Sequence, residues 1–209
     1  MIATPLAALV AADPLRAWQD AIVRRIAALL PGVRVIAHPG KIDISQMVAK
    51  IIVPAPGIAV GWTRVRSVGL IDGRVDITVD WAAYIVVEDA VIESTRVDRD
   101  QLGFAVGTRL LMILADPDET RWGLESVTPP VEQPAPVLVP LYTVSDQAKG
   151  TGYLAVSWSQ TLIGQGQSQF DGDAPVAGTA LDEDSRPTID ANFGADVPID
   201  VRALWGDPA

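Results

Sequence analysis

The chain has 209 residues, no cysteine, one histidine and a formal net charge of -10. Those totals exclude disulfides and zinc sites built on thiolates or histidine clusters, and they run against a protein that grips nucleic-acid phosphates. Hydrophobic residues make up 49% of the chain, enough for one buried core, but no apolar run reaches the roughly 20 residues that cross a bilayer.

Residues 1–12 are Ala-rich and lack the Lys or Arg that opens a secretory signal, so an arm leading into the first helix is expected. Asp13-Pro14 then starts a helix, with Asp as N-cap and Pro at the first helical position. Leu15, Trp18, Ile22, Ile26, Leu29 and Leu30 follow at helical spacing. Arg16, Gln19, Asp20 and Arg24 fall mostly off that stripe, and Pro31-Gly32 ends the helix. Val33 to Ala37 reads as a strand. Asp43 can cap a short second helix to Ala49, with a strand from Ile51 to Val53.

Two alternating segments come next. Ile58 to Val68 carries Ile58, Val60 and Trp62 on one face, and Arg64 and Arg66 continue that row. Val75 to Val87 alternates over its whole length, which predicts a sheet with one face buried. Between them, Ile71-Asp72-Gly73-Arg74 supplies a hairpin turn, so the two strands are expected to pair antiparallel. A second long helix fits Asp98 to Leu114, with Leu102, Val106, Leu110 and Ile113 as its stripe and Phe104, Leu111 and Leu114 broadening it. Strands are expected at Trp122 to Val127, Val137 to Val144 and Tyr153 to Leu162, with Pro129 to Pro140 containing a spacer loop. The order predicts an α+β fold: a largely antiparallel sheet with two main helices packed on one face, plus an extended C-terminal arm. The expected division is an N-terminal arm over 1–12, the α+β domain over 13–165 and the arm over 166–209.

That C-terminal arm holds most of the charge. Nine acids and two bases lie between Ile163 and Ala209, in a Gly-, Pro- and Ala-rich context with no sustained apolar period. Ile189, Phe193, Val197, Ile199, Val201, Leu204 and Trp205 are apolar anchors along it. They suit either a fold-back onto the same domain or a contact with a neighbouring subunit.

Residues able to carry chemistry are few. The single histidine, His38, stands before Pro39-Gly40 with no identifiable nucleophile or orienting carboxylate, so a structural or surface role is expected. Asp171-Gly172-Asp173 and Asp182-Glu183-Asp184 gather carboxylates without the spacing of an EF-hand loop, and read as solvated turns. Asp76 and Asp80 fall on the polar side of a strand and read as a solvated face. Neither Gly150 to Gly152 nor Gly164 to Gly166 lies between a strand and a helix, where a phosphate cradle needs its glycines. No catalytic residue, cofactor site or metal site is assigned. Among the six tryptophans, Trp18, Trp81 and Trp158 fall on core faces, while Trp62, Trp122 and Trp205 suit an interface or a satellite core equally. Trp62 with Arg64 and Arg66 makes a thin nucleic-acid patch in an acidic chain, and an intersubunit ion-pair site fits better. The residues nominated for a subunit interface are therefore Trp62, Arg64, Arg66, Trp122, Phe193, Leu204 and Trp205.

Two blocks carry a family resemblance. The helix end Ile26-Ala27-Ala28-Leu29-Leu30-Pro31-Gly32-Val33, followed by a strand, resembles the start of the Mu-type tail-terminator proteins of contractile-tailed phages. Leu141-Tyr142 through Lys149-Gly150, then Tyr153-Leu154-Ala155-Val156-Ser157-Trp158-Ser159-Gln160, resembles that family's closing hairpin. The likeness spans about Asp13 to Gln165 and leaves the acidic arm outside it. It implies a non-enzymatic virion subunit, assembled in the bacterial cytoplasm, forming a hexameric ring that caps the tail tube. Tail tube and sheath subunits and head-completion proteins of the neck would be its partners, with DNA passing through unbound and no membrane involved. Another tail or neck subunit (tube, connector or baseplate) is the alternative, and a small-molecule enzyme or binding domain ranks after it.

Overall fold

The computed structural model describes residues 4–40, 53–71, 73–141 and 150–166. The expected helix at 43–49, the acidic turns at 171–173 and 182–184, and the arm beyond Gly166 lie outside the described residues.

A short helix, α1 (Leu6–Ala11), leads the chain and buries none of its side chains. Helix α2 (Pro14–Leu29) begins where the Asp-Pro signal puts it, and the Asp13 carboxylate accepts from the backbone N–H groups of Leu15 and Arg16. Its Trp18, Ile22 and Ile26 are fully buried. Gln19 is buried as well, against expectation. Its amide donates to the carbonyls of His38 (2.7 Å) and Val60 (2.8 Å), so a polar side chain off the apolar stripe clips the helix to two strands.

Strand β1 (Arg34–Ala37) pairs parallel with β2 (Gly57–Ile71), and β2 pairs antiparallel with β3 (Arg74–Glu88). A small hairpin follows, β4 (Ala90–Ile92) with β5 (Thr95–Val97). Its turn residues Glu93 and Ser94 both take positive φ, as a primed two-residue turn requires, without the Asn-Gly or Asp-Gly signal that would announce it. Helix α3 (Arg99–Leu114) is capped by Asp98, which accepts from Gln101 N–H. A short α4 (Pro117–Thr120) is capped by Asp116 and joined to α2 by an Arg25–Glu119 ion pair. Strands β6 (Val137–Pro140) and β7 (Thr151–Gln165) complete a five-stranded sheet in the order β1-β2-β3-β7-β6, antiparallel except for β1 with β2.

Helices α2 and α3 share a core with one face of this sheet, as the α+β reading expects. Trp18 and Trp81 meet edge to face there, 4.9 Å apart, among Ile22, Ile58, Ile85 and Leu110. Helix α3 comes close because its inward row includes Gly103 and Gly107. A methyl on Gly107 would stand 2.8 Å from a Leu138 side-chain carbon. Phe104, expected to broaden the stripe, points to solvent instead.

Three further expectations fail for physical reasons. The alternation in β3 suggests one buried face, yet Ala82, Tyr84 and Val86 on the other face are buried too, with Val53, Ala59 and Ala155. Small and aromatic residues at those even positions permit a second, thinner core. Val53 belongs to that core, not to a strand. The segment from Trp122 to Val127 is no strand either: Trp122 and Gly123 both take positive φ, and only Val127 bridges to Leu162. The reason is Gln160, fully buried at the centre of this region. Its carbonyl oxygen accepts from the indole N–H groups of Trp122 (3.0 Å) and Trp158 (2.8 Å). Its amide nitrogen donates to the carbonyls of Thr120 and Thr128. One side chain thus satisfies four groups and ties an irregular loop to β7.

Candidate assembly surface

The sheet's two edges differ. On one side, β6 is four residues long and carries Pro140, preceded by Pro136. The neighbouring edge of β7 is covered by residues 126–131, through the bonds Thr128 N–H to Thr161, Ile163 N–H to Ser126 and Val131 N–H to Ser159. Prolines and a covering loop are the usual protection of a strand edge. The opposite side has no such protection among the described residues. Strand β1 pairs with β2 from Gly57 to Val60, and about two-thirds of β2 runs on with no strand partner on its outer edge among the described residues. From Arg64 to Ile71 every residue is exposed, and that stretch contains neither Pro nor Lys.

Two register shifts decide which side chains this strand presents. They fall between Trp62 and Arg64 and between Val65 and Ser67. Each extra residue flips the parity of the strand. Strict alternation would have put Arg64 and Arg66 in the row of Trp62, as the sequence suggests. Instead Trp62, Val65, Val68 and Leu70 stand opposite Trp81, Val79, Ile77 and Val75, forming a two-strand apolar strip on the helix side of the sheet. On β2 that strip is open: Trp62 is 42% exposed and Val68 66%. The inner part of the same face lies under the helices. The outer part is an apolar surface with nothing described upon it.

The other face of the hairpin is polar, and Asp80 organises it. Its carboxylate accepts from Arg64 Nε (2.5 Å), Arg66 Nε (2.9 Å) and the Ser159 hydroxyl. The expectation of a solvated carboxylate is wrong here: Asp80 is only 8% exposed, and Asp76, also buried, accepts from Gly164 N–H. Arg64 and Arg66, nominated for an intersubunit ion pair, both pair with Asp80 of their own chain. Together they border an open cleft of about 390 Å³ that Pro134 and Val137 close on one side.

Burial alone would raise the Asp80 pKa, but the hydrogen bonds from Ser159, Arg64 and Arg66 outweigh it and hold the group below the ordinary carboxylate range. The ionised pair therefore stabilises the fold fully above the unfolded carboxylate pKa of about 4, and that contribution is lost as pH falls through the lower folded value. Asp80→Asn is expected to lower stability at neutral pH and to flatten the acid limb of a stability-versus-pH curve. An unchanged acid limb in chemical denaturation would contradict this role. As chemistry, a carboxylate held ionised by two guanidinium groups is a weak base, and the Ser159 hydroxyl is engaged as its donor.

Comparison with protein-family models and with curated proteins finds no match.

The nominated residues separate into three groups. Trp62, Arg64 and Arg66 lie together on the open part of β2, with Trp62 on the opposite face from the two arginines. Trp122 is 5% exposed and bonded to Gln160, so it belongs to the core and not to an exposed contact. Phe193, Leu204 and Trp205 lie outside the described residues. Val65, Val68 and Leu70 do not stand out in the sequence, because their spacing of three and two matches no regular period until the bulges are known. His38 lies in its own turn, Nδ1 2.8 Å from the Gly40 carbonyl, beside Tyr84. No described helix is long and apolar enough to cross a membrane.

Proposed function

We propose that this chain is a structural subunit of a phage tail, a terminator that closes into a ring on the end of the tail tube and joins it to the neck. The observation that carries the reading is the asymmetry of the sheet: one blunt edge, and one long open edge backed by the apolar strip of Trp62, Val65, Val68 and Leu70. A subunit with one adhesive edge and a different opposite side favours head-to-tail contacts, and such contacts close into rings when the rotation allows. The family likeness at Ile26–Val33 and Leu141–Gln160 supports the same reading, with six copies as the ring it implies. The acidic balance of the chain suits a lumen that lets DNA pass without holding it. The site of action is then the virion, after assembly in the host cytoplasm.

Tail tubes assembled from the same phage's tube subunits provide the test. Gold-labelled protein is expected at tube ends only, and its addition during assembly is expected to stop growth. Label along the tube walls, or incorporation that lengthens tubes, would reject the terminator role in favour of another tail component.

A further inference from the structure

We propose that the cleft bordered by Arg64 and Arg66 is a binding site for a carboxylate carried on a short apolar chain. The inference stands apart from the ring reading and needs one face of one subunit.

The cleft lies on the face of the sheet away from Trp62 and the helices. Its floor crosses the sheet from Arg64 and Arg66 on β2, over Asp80 on β3, to Ser159 on β7. Pro134 and Val137 form the far wall. Every one of these residues belongs to the described domain.

The hydrogen bonds already made decide what the cleft can still bind. Both oxygens of Asp80 are engaged: Oδ2 accepts from Arg64 Nε, and Oδ1 accepts from Arg66 Nε and from the Ser159 hydroxyl. The Ser159 oxygen in turn accepts from Arg66 Nη2 at 3.2 Å. These bonds use one nitrogen of Arg64 and two of Arg66. Both Nη groups of Arg64 and Nη1 of Arg66 have no acceptor among the described residues. A guanidinium has donors and no acceptor, so the unspent capacity of the charged groups is donor capacity. Such a floor selects an anion over a cation.

Charge and shape narrow the anion. Two guanidinium groups facing one carboxylate leave a single positive charge. One further carboxylate neutralises it, whereas a phosphate monoester, at about -1.5 to -2, overshoots. The planar fork of an arginine also matches a carboxylate in two parallel bonds. Pairing with Asp80 holds both guanidinium groups in place before a ligand arrives, which lowers the ordering cost of binding. The Arg64 side chain is nonetheless 65% exposed, so a ligand reaches it without displacing any described group.

The wall supplies the rest of the specificity. Pro134 and Val137 are exposed apolar residues beside the charged floor. They offer burial to a few carbons attached to the bound carboxylate. The volume, about 390 Å³, falls at the small end of the range for ligand sites, roughly 300–1,000 Å³. Two sources present this chemistry: a free short-chain organic acid, and a glutamate side chain on a protein segment.

Butyrate is the first probe, followed by saturation-transfer NMR on the full-length protein, with butyramide as its uncharged isostere. Saturable butyrate binding is expected, with Kd on the order of millimolar, and butyramide should not compete. Arg64→Gln should weaken butyrate by at least about tenfold. Arg24→Gln, at an exposed arginine on α2, should leave it unchanged. N-acetyl-Ala-Glu-Ala-amide then separates the sources: tighter binding than butyrate assigns the site to a protein segment, and weaker binding assigns it to a free acid. Butyrate that does not saturate, or that butyramide displaces equally well, overturns the proposal. So does equal loss in R64Q and R24Q, which would mark a general charge effect. Inorganic phosphate binding more tightly than butyrate overturns the assignment to a carboxylate.

Discussion

Val68→Asp is expected to leave the monomer folded and to abolish assembly. Val68 sits opposite Ile77 on the apolar strip and is 66% exposed, so the isolated subunit gains little from it. In the proposed ring the same position is covered. The substitution then removes apolar burial of about 1.5–3 kcal/mol and adds a carboxylate that must be desolvated without a partner. An association constant lowered by about 100-fold per contact is a conservative expectation, at about 2.8 kcal/mol. Circular dichroism and thermal unfolding of the variant should match the parent monomer, while sedimentation should show only monomer at concentrations where the parent assembles. Unaltered assembly would remove the β2 strip from the interface. Arginine or lysine at the same position should act alike, because edge charges block strand pairing of either sign.

Gln160→Leu is expected to produce the largest loss of fold stability of any single polar substitution. Leucine keeps the volume but leaves the indole N–H groups of Trp122 and Trp158 and the carbonyls of Thr120 and Thr128 without their partner. Each buried group left unsatisfied costs about 1–3 kcal/mol. Some of that is recovered by relaxation of the loop, so a net loss of about 4 kcal/mol is expected. For a domain of this size that lowers Tm by about 8–16 °C. Near-ultraviolet circular dichroism should change at the same time, since two tryptophans lose their fixed surroundings. A Tm within a degree or two of the parent would show that the loop from Thr120 to Val131 is held by other contacts. Gln160→Glu should be almost as harmful, because a carboxylate has no N–H to offer the two carbonyls.

The two substitutions also mark where the sequence is informative and where it is not. Regular elements with strong local signals are legible: the Asp13-Pro14 and Asp98 helix starts, the long alternation of β3, and the antiparallel pairing of β2 with β3. Those signals act within a few residues of each other. The two faces of β7 are legible for the same reason, with Leu154, Val156 and Trp158 inward. What is not legible depends on partners distant in the chain. Gln160 reads as one more polar residue at the end of a strand until Thr120, Trp122 and Thr128 arrive around it. Gln19 reads as surface until the carbonyls of His38 and Val60 come within reach. Asp80 reads as solvated until the bulged partner strand delivers Arg64 and Arg66 to its face.

The candidate surface was half visible. Trp62, Arg64 and Arg66 stand out by residue type, and they do lie on the strand with the open edge. Their separation onto two faces depends on the two bulges, for which residues 62–67 carry no Gly, Asn or Pro to signal an irregularity. The same bulges gather Val65, Val68 and Leu70, which look unrelated in sequence. Trp122 misleads in the opposite direction. It opens a stretch that reads as a strand and suits an interface as well as a satellite core, while its indole N–H is drawn inward by the buried Gln160 side chain.

The central claim is that the open edge of β2 and its apolar strip assemble identical subunits into a closed ring. Native mass of the full-length protein, measured over a wide concentration range, tests this most directly. The expected result is one dominant species of ring stoichiometry, a hexamer, that Val68→Asp converts to monomer without unfolding it. A parent protein that stays monomeric throughout, or an open ladder of sizes that grows with concentration and never closes, would contradict it.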